Sequence, residues 1–307
     1  MATTAPRLDQ AVGFIKTHQN PDGGWGYEPR RASLVEPSAF SVLALHARGD
    51  GPEAGRGLAY LKSCQKDSGA VGIGPLDPEG GWMAYAAILA FHALGAGPEE
   101  QRLKAWILGF EDASDRFTKE EIASIAARFR YDASIRGWPW TPRTTAWVEP
   151  TALFILGLRH AGVPATEKRI RSGVDLLIDR RVPSGGWNFG NPFSSSFELE
   201  ASTMSTALAL SALGAAGVPE SRPEAQAGLR YIARAMNGDI STASLAWLLL
   251  AAKSFPSGGA LLAGLTARLA RLQRSDGSFR GNLFETALAY LVLSDASVLR
   301  PLRPGDP

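Results

Sequence analysis

Apolar positions along the chain fall into two alternating kinds of stretch. In the first kind they recur three or four apart with Lys or Arg between them, as in Leu8–His18, Gly57–Cys64, Ile170–Asp179, Gln226–Met236 and Leu261–Leu272. That period predicts amphipathic helices, each burying one face. In the second kind nearly every position is apolar, as in Val35–Gly49, Trp82–Gly95, Val148–Gly162, Ser202–Gly214, Ser241–Ala252 and Phe284–Leu293. Helices of this kind are buried all round. Pro37 and Pro150 suit first helical turns, and Gly49, Gly95, Gly162 and Gly214 suit C-terminal caps.

Between the two kinds of helix lies a recurring turn. QNPDGGW (Gln19–Trp25), QKDSGAV (Gln65–Val71), RVPSGGW (Arg181–Trp187) and QRSDGSF (Gln273–Phe279) align without gaps. GWPW at Gly137–Trp140 is a degenerate copy, and RAMNGDI at Arg234–Ile240 occupies the place of another without an aromatic. Trp25 to Val71 is 46 residues, and Trp187 to Phe279 is twice that. The Gly allows a tight turn. The Trp is expected to pack over the following helix with Gln near its ring, a structural staple rather than a catalyst.

Six helix pairs of alternating character predict an all-α fold. An open stack would leave the apolar helices half exposed. Closing six helical hairpins into an (α/α)6 toroid, apolar helices inside, avoids that. The repeat therefore replaces the two domains that length suggests with a single toroid domain over 1–307, carrying a charged insertion at about 99–136.

Composition narrows the rest. Much of the excess in 33 Gly and 8 Trp sits in the repeated turns. With 45% hydrophobic and 20% charged residues the chain is not disordered. A net charge of +2 makes no electrostatic case for nucleic acid. One Cys, Cys64, excludes an internal disulfide framework and a Cys-based multi-ligand zinc site. The start, MATTAPRLDQ, lacks the apolar stretch of a signal peptide. The longest apolar run, around Leu245–Ala252, is far short of the ~20 residues that span a bilayer. The expectation is a soluble cytoplasmic protein.

The Gln-x-x-x-Gly-x-Trp turn resembles the QW repeat of squalene–hopene and oxidosqualene cyclases. The layout resembles the terpenoid cyclase/protein prenyltransferase toroid superfamily over nearly the whole chain. The resemblance implies an isoprenoid substrate and no cofactor. Class II cyclases of that superfamily protonate an alkene or epoxide with the middle Asp of a DxDDTA motif. The nearest match is WVEPTA, Trp147–Ala152, where Glu149 takes the donor's place and Trp147 and Pro150 replace the flanking aspartates. VEPSA at Val35–Ala39 places Glu36 in the same way, and Glu285 in FETA falls one position later. Carboxylates at these positions also suit helix N-termini. Prenyltransferases use zinc held by Asp, Cys and His; with no Asp-x-Cys here, no metal is expected. The GCGEQ of complement-type thioester domains is absent too.

Other groups have modest readings. His46, His92 and His160 fall near the ends of apolar helices and are read as caps or packing. EDASD, Glu111–Asp115, superficially resembles a Mg2+-binding DDxxD motif and is read as a solvated loop or cap. Trp147, Trp82, Tyr85, Phe40 and Phe284, joined by Trp138 and Trp140, are the expected aromatic lining, suited to cations and isoprenoid chains.

Three functions remain open on the sequence. One is an isoprenoid cyclase or isomerase with Glu149 as acid. Another is a non-catalytic toroid binding a lipid or a protein partner. The third is a carbohydrate-active (α/α)6 enzyme with two carboxylates. A peripheral membrane contact and a homo-oligomer are left open alongside them.

Overall fold

The structure is a computed structural model that describes residues 6–236 and 238–302. Its helices run in chain order as α1 (Leu8–Thr17), α2 (Val35–Arg48), α3 (Gly51–Ser63), α4 (Ala84–Ala93), α5 (Gly97–Gly109), α6 (Lys119–Phe129) and α7 (Val148–His160). Then come α8 (Lys168–Asp179), α9 (Thr203–Ala215), α10 (Pro223–Ala235), α11 (Thr242–Lys253), α12 (Gly259–Arg271) and α13 (Leu283–Leu293). A short antiparallel hairpin, β1 (Phe193–Ser194) with β2 (Phe197–Glu198), is the one sheet among the described residues. No described helix is long and apolar enough to cross a membrane.

The alternation is as the sequence predicts. In α2, eleven of fourteen residues are buried; in the amphipathic α3, four of thirteen are. Three details differ. The sixth amphipathic helix is α5, inside the stretch read as an insertion, and its charge hid its period. Its only buried residues are Leu103 and Ile107. The residues foreign to the repeat follow it and hold α6, whose start is a capping box between Thr118 and Glu121. Gly214 lies within α9 and is not its cap; Gly217, at φ +75°, holds the left-handed position three residues on. In the expected turn at Arg234–Ile240, Asn237 lies outside the described residues.

The chain divides into two compact units. The first takes in the described parts of Met1–Gly109, Ser241–Leu249 and Ala263–Arg300. Within it α2 packs against α3, α4 and α13, and α13 also packs on α1. The second takes in the described parts of Phe110–Ile240, Leu250–Leu262 and Pro301–Pro307. Within it α7 packs against α8 and α9, α9 against α10, and α6 touches β1.

The repeated turn is a staple whose bonds recur from copy to copy. The Gln side chain bridges two carbonyls: Gln19 Nε2 donates to Gly23 O at 2.8 Å and to Glu53 O at 3.0 Å. Gln65 does the same to Gly69 O and Glu99 O. In each case the second carbonyl opens the next amphipathic helix. Gln therefore ties turn to helix, rather than serving the Trp ring. The indole N–H reaches back instead, from Trp25 to Ile15 O at 2.8 Å and from Trp187 to Leu177 O at 2.6 Å. The Trp25 ring packs on Gly57 of α3, where a β-carbon would lie 2.7 Å from the ring. A hydroxyl on the apolar helix grips the aromatic residue's backbone: Ser38 for Trp25, Thr151 for Trp138, Thr206 for Trp187 and Thr286 for Phe279.

Candidate functional site

In the first unit the repeat brings Glu36 into the first turn of α2, where the helix dipole favours a carboxylate. Glu36 is only 6% exposed. Its two oxygens accept hydrogen bonds from two phenols, Oε2 from Tyr27 and Oε1 from Tyr85 at 2.6 Å. Tyr85 stacks on Trp82 with ring centres 6.1 Å apart and lies 6.1 Å from Phe40. Phe40 meets Phe284 edge-on at 5.0 Å and Trp247 at 6.2 Å. Four predicted lining residues thus gather round one predicted acid. Tyr27 and Trp247 were not singled out from the sequence. Tyr27 stands two residues past a staple Trp, a signal available in the repeat; Trp247 carries none.

This cluster is close-packed, with Phe40, Tyr85 and Trp247 all buried. Burial pushes the Glu36 carboxyl up, and the two phenolic hydrogen bonds pull it part of the way back. Burial and the neighbouring Glu36 charge hold both phenols protonated, so they stay donors. Glu285, in the first turn of α13, has its own N–H taken by the Asn282 cap at 2.9 Å. Its carboxyl is pushed up by burial and eased down by Arg280, and its Oε2 has no hydrogen-bond partner among the described residues.

In the second unit Trp147 is the residue before α7, and its extended backbone turns Glu149 into the helix's first turn. The Val148 N–H is taken by Phe189 O at 3.0 Å. Glu149 is half-buried, and Ser205 Oγ donates to its Oε1 at 2.7 Å. Ser202 Oγ in turn donates to Ser205 Oγ at 2.8 Å, and it accepts the Ser205 N–H as the cap of α9. Burial pushes the Glu149 carboxyl up, and the Ser205 bond works against that.

Ser202 also lines a cavity of about 620 Å³, together with Trp140, Trp147, Asn188, Phe189, Asn191, Leu199 and Glu200. The size is within the range of small-molecule sites. Its walls are mostly aromatic and apolar, and Phe189 is 61% exposed. Of the expected aromatic lining, Trp147 and Trp140 are here; Trp82, Tyr85, Phe40 and Phe284 belong to the first unit. Asn188, Phe189 and Asn191 were missed because they lie in the loop after a staple, where no helical period guides the eye.

The remaining candidates are structural. His92 Nδ1 pairs with Glu100 at 2.9 Å, and His160 Nδ1 with Leu156 O at 2.9 Å, each near its helix end. His46 is exposed on the last turn of α2. In EDASD the buried Asp112 accepts from Ser114 and from the Gly137 N–H at 2.7 Å, which ties the loop to the Trp138 turn. Among the described residues no three His, Cys, Asp or Glu side chains converge as metal ligands do.

No protein-family model matches the chain. No curated protein matches its sequence either. Solved structures do match. The type II terpene cyclase MstE from Scytonema superposes with a TM-score of 0.63 at 18% identity, over 95% of this chain and 97% of that one. A protein from Actinoplanes gives 0.66 at 20% identity, over 94% and 98%. An alpha-amylase from Clostridium perfringens gives 0.62 at 10% identity, over 94% and 99%. At such identities the likeness concerns the fold and leaves the chemistry open. The chain has the all-α toroid fold of helical hairpins that these terpene cyclase and glycosidase structures share.

Proposed function

We propose that the protein is a terpenoid cyclase-like enzyme that takes an isoprenoid chain into the cavity of the second unit, with Glu149 as its acid. The observation that carries this is the run of hydroxyls from the cavity wall to a half-buried carboxyl: Ser202, Ser205, Glu149. Burial pushes the Glu149 carboxyl up, toward its protonated form, and the two serines connect it with the wall. Delivered to a terminal alkene, that proton forms a C–H bond and leaves a tertiary cation. The faces of Trp140 and Trp147 suit a cation. The next double bond closes the ring, and a C–H proton lost at the end returns to the carboxylate, so the net change is an isomerisation. In support, an MstE variant of the same fold holds geranylgeranyl dihydroxybenzoate as its substrate (TM-score 0.62, 17% identity, covering 95% of this chain and 96% of that one).

The test is incubation with squalene and prenyl substrates, with product analysis of the wild type and Glu149→Gln. A cyclised product lost in the variant supports the role; equal turnover removes it. A second reading rests on the polar side of the same cavity. Glu200 and Asn191 beside Trp140 and Trp147 also suit a sugar on an aromatic platform. Release of reducing sugar from oligosaccharides, with no isoprenoid product, would favour it.

A further inference from the structure

We propose that the cavity of the second unit selects isoprenoids whose polar end is uncharged or cationic, an alcohol or an amine, and rejects diphosphates. This rests on the isoprenoid reading above and names the substrate class within it. The charge on the wall is of one sign: Glu200 lines the cavity, and no Lys or Arg does among the described residues. A diphosphate needs cations, free backbone N–H groups or a helix N-terminus. Four of the N–H groups nearby are committed. The Val148 N–H at the start of α7 is taken by Phe189 O, and the Ser205 N–H at the start of α9 by the Ser202 side chain. The N–H groups of Gly190 and Asn191 both point to Asn188 Oδ1.

Two guanidiniums of the second unit are engaged elsewhere. Arg180 Nη1 donates to Gly190 O at 3.1 Å, its Nε to Asp179, and its plane lies over the Tyr131 ring. Arg130 lies over the Phe193 ring at 3.9 Å. On the same wall as the Asn191 side chain, a ligand's polar end meets the exposed Glu200 carboxylate, an acceptor that an alcohol or ammonium satisfies and a phosphate oxygen does not. Because Glu200 is exposed, the polar end stays at the solvent side and the apolar chain runs in between Trp140 and Trp147.

Quenching of tryptophan fluorescence by geranylgeraniol, geranylgeranylamine and geranylgeranyl diphosphate, at low and at 0.5 M salt, tests this. The diphosphate is expected to bind about tenfold more weakly than the alcohol at low salt, with the gap narrowing at high salt. The amine is expected to bind at least as well as the alcohol. Glu200→Lys, a change on an exposed side chain, should reverse the order. Equal or tighter binding of the diphosphate by the wild type overturns the selectivity and leaves the isoprenoid site standing. So does a preference unchanged in Glu200→Lys. Failure of all three ligands to bind overturns the isoprenoid reading itself.

Discussion

Gln273 holds Arg7 by both ends of its side-chain amide: its N–H donates to the Arg7 carbonyl at 2.9 Å, and its oxygen accepts the Arg7 N–H at 2.8 Å. Gln19 and Gln65 each reach a carbonyl 34 residues downstream, at the start of the next amphipathic helix. Among the described residues no amphipathic helix follows Gln273, and the start of α1 takes the place. The turn glycines repeat the relationship. A β-carbon on Gly23 or Gly69 would meet the carbonyl of Arg56 or Arg102, and one on Gly277 would meet that of Gln10 in α1, at 2.4 Å. The last repeat thus treats the first as its neighbour.

Removing the Gln273 side chain should therefore loosen the junction between the chain's two ends. Gln273→Ala is expected to cost about 1–2 kcal/mol, since three hydrogen bonds, two to Arg7 and one to Gly277 O, go at a partly exposed site. Urea unfolding measures it, and protease cleavage near Arg7 should quicken in parallel. A midpoint unchanged from wild type would contradict the role.

Glycine positions separate into those that need their missing side chain and those that do not. In α3, Gly57→Ala would press a methyl 2.4 Å from Val42 and 2.7 Å from the Trp25 ring, and should cost about 1–3 kcal/mol. In α1, Gly13→Ala meets nothing within 4 Å and should stabilise by about 0.5–1 kcal/mol. Thermal melts of the two variants should move in opposite directions.

The hydroxyl clasp has its own test. Thr151 is fully buried; its Oγ1 accepts the Trp138 N–H at 2.9 Å and donates to Trp138 O at 3.3 Å. Thr151→Val keeps the shape and orphans the Trp138 N–H, while the Trp138 carbonyl keeps the Trp147 N–H at 3.2 Å, costing about 1–3 kcal/mol. Thr151→Ser, which keeps the clasp, should lose clearly less; equal losses would show that the methyl matters and the hydroxyl does not.

Glu36 makes stability depend on pH in a particular direction. Its folded-state carboxyl is raised above the ordinary 4.5, so the folded chain keeps a proton there that the unfolded chain has released. The contribution to stability is fully present below about pH 4.5 and is lost as pH rises through the folded value. Glu36→Gln removes this loss. The stability of the variant minus that of the wild type should grow with pH above 4.5 in urea titrations, whereas a flat difference would mean that Glu36 is no more basic folded than unfolded.

Ser205 is the link between Glu149 and the cavity wall, and its backbone N–H keeps its cap without the side chain. Ser205→Ala should lower any product formation by about tenfold or more, with only a small change in melting temperature. Activity equal to wild type would exclude this route to Glu149.

The order of the helices, their two characters and the staples were legible in the sequence, because each rests on local chemistry. Burial all round writes an unbroken apolar run, one-sided burial writes a period, and a tight turn writes Gly before an aromatic. Where local chemistry was ambiguous the reading slipped. The charge of α5 masked its narrow buried stripe, and Gly214 looked like a cap until Gly217 was seen in the left-handed position. What only the tertiary structure decided was partnership. Tyr85 lies 49 residues from Glu36, and Ser205 lies 56 from Glu149. No pattern in the chain records that packing would bring them within hydrogen-bond reach. Glu36 and Glu149 sit in near-identical motifs, VEPSA and VEPTA. One is enclosed by phenols and packed rings, and the other is joined by two serines to a cavity wall. The motif set the carboxyl at a helix start; its environment, and with it its chemistry, came from the neighbours that the fold supplied.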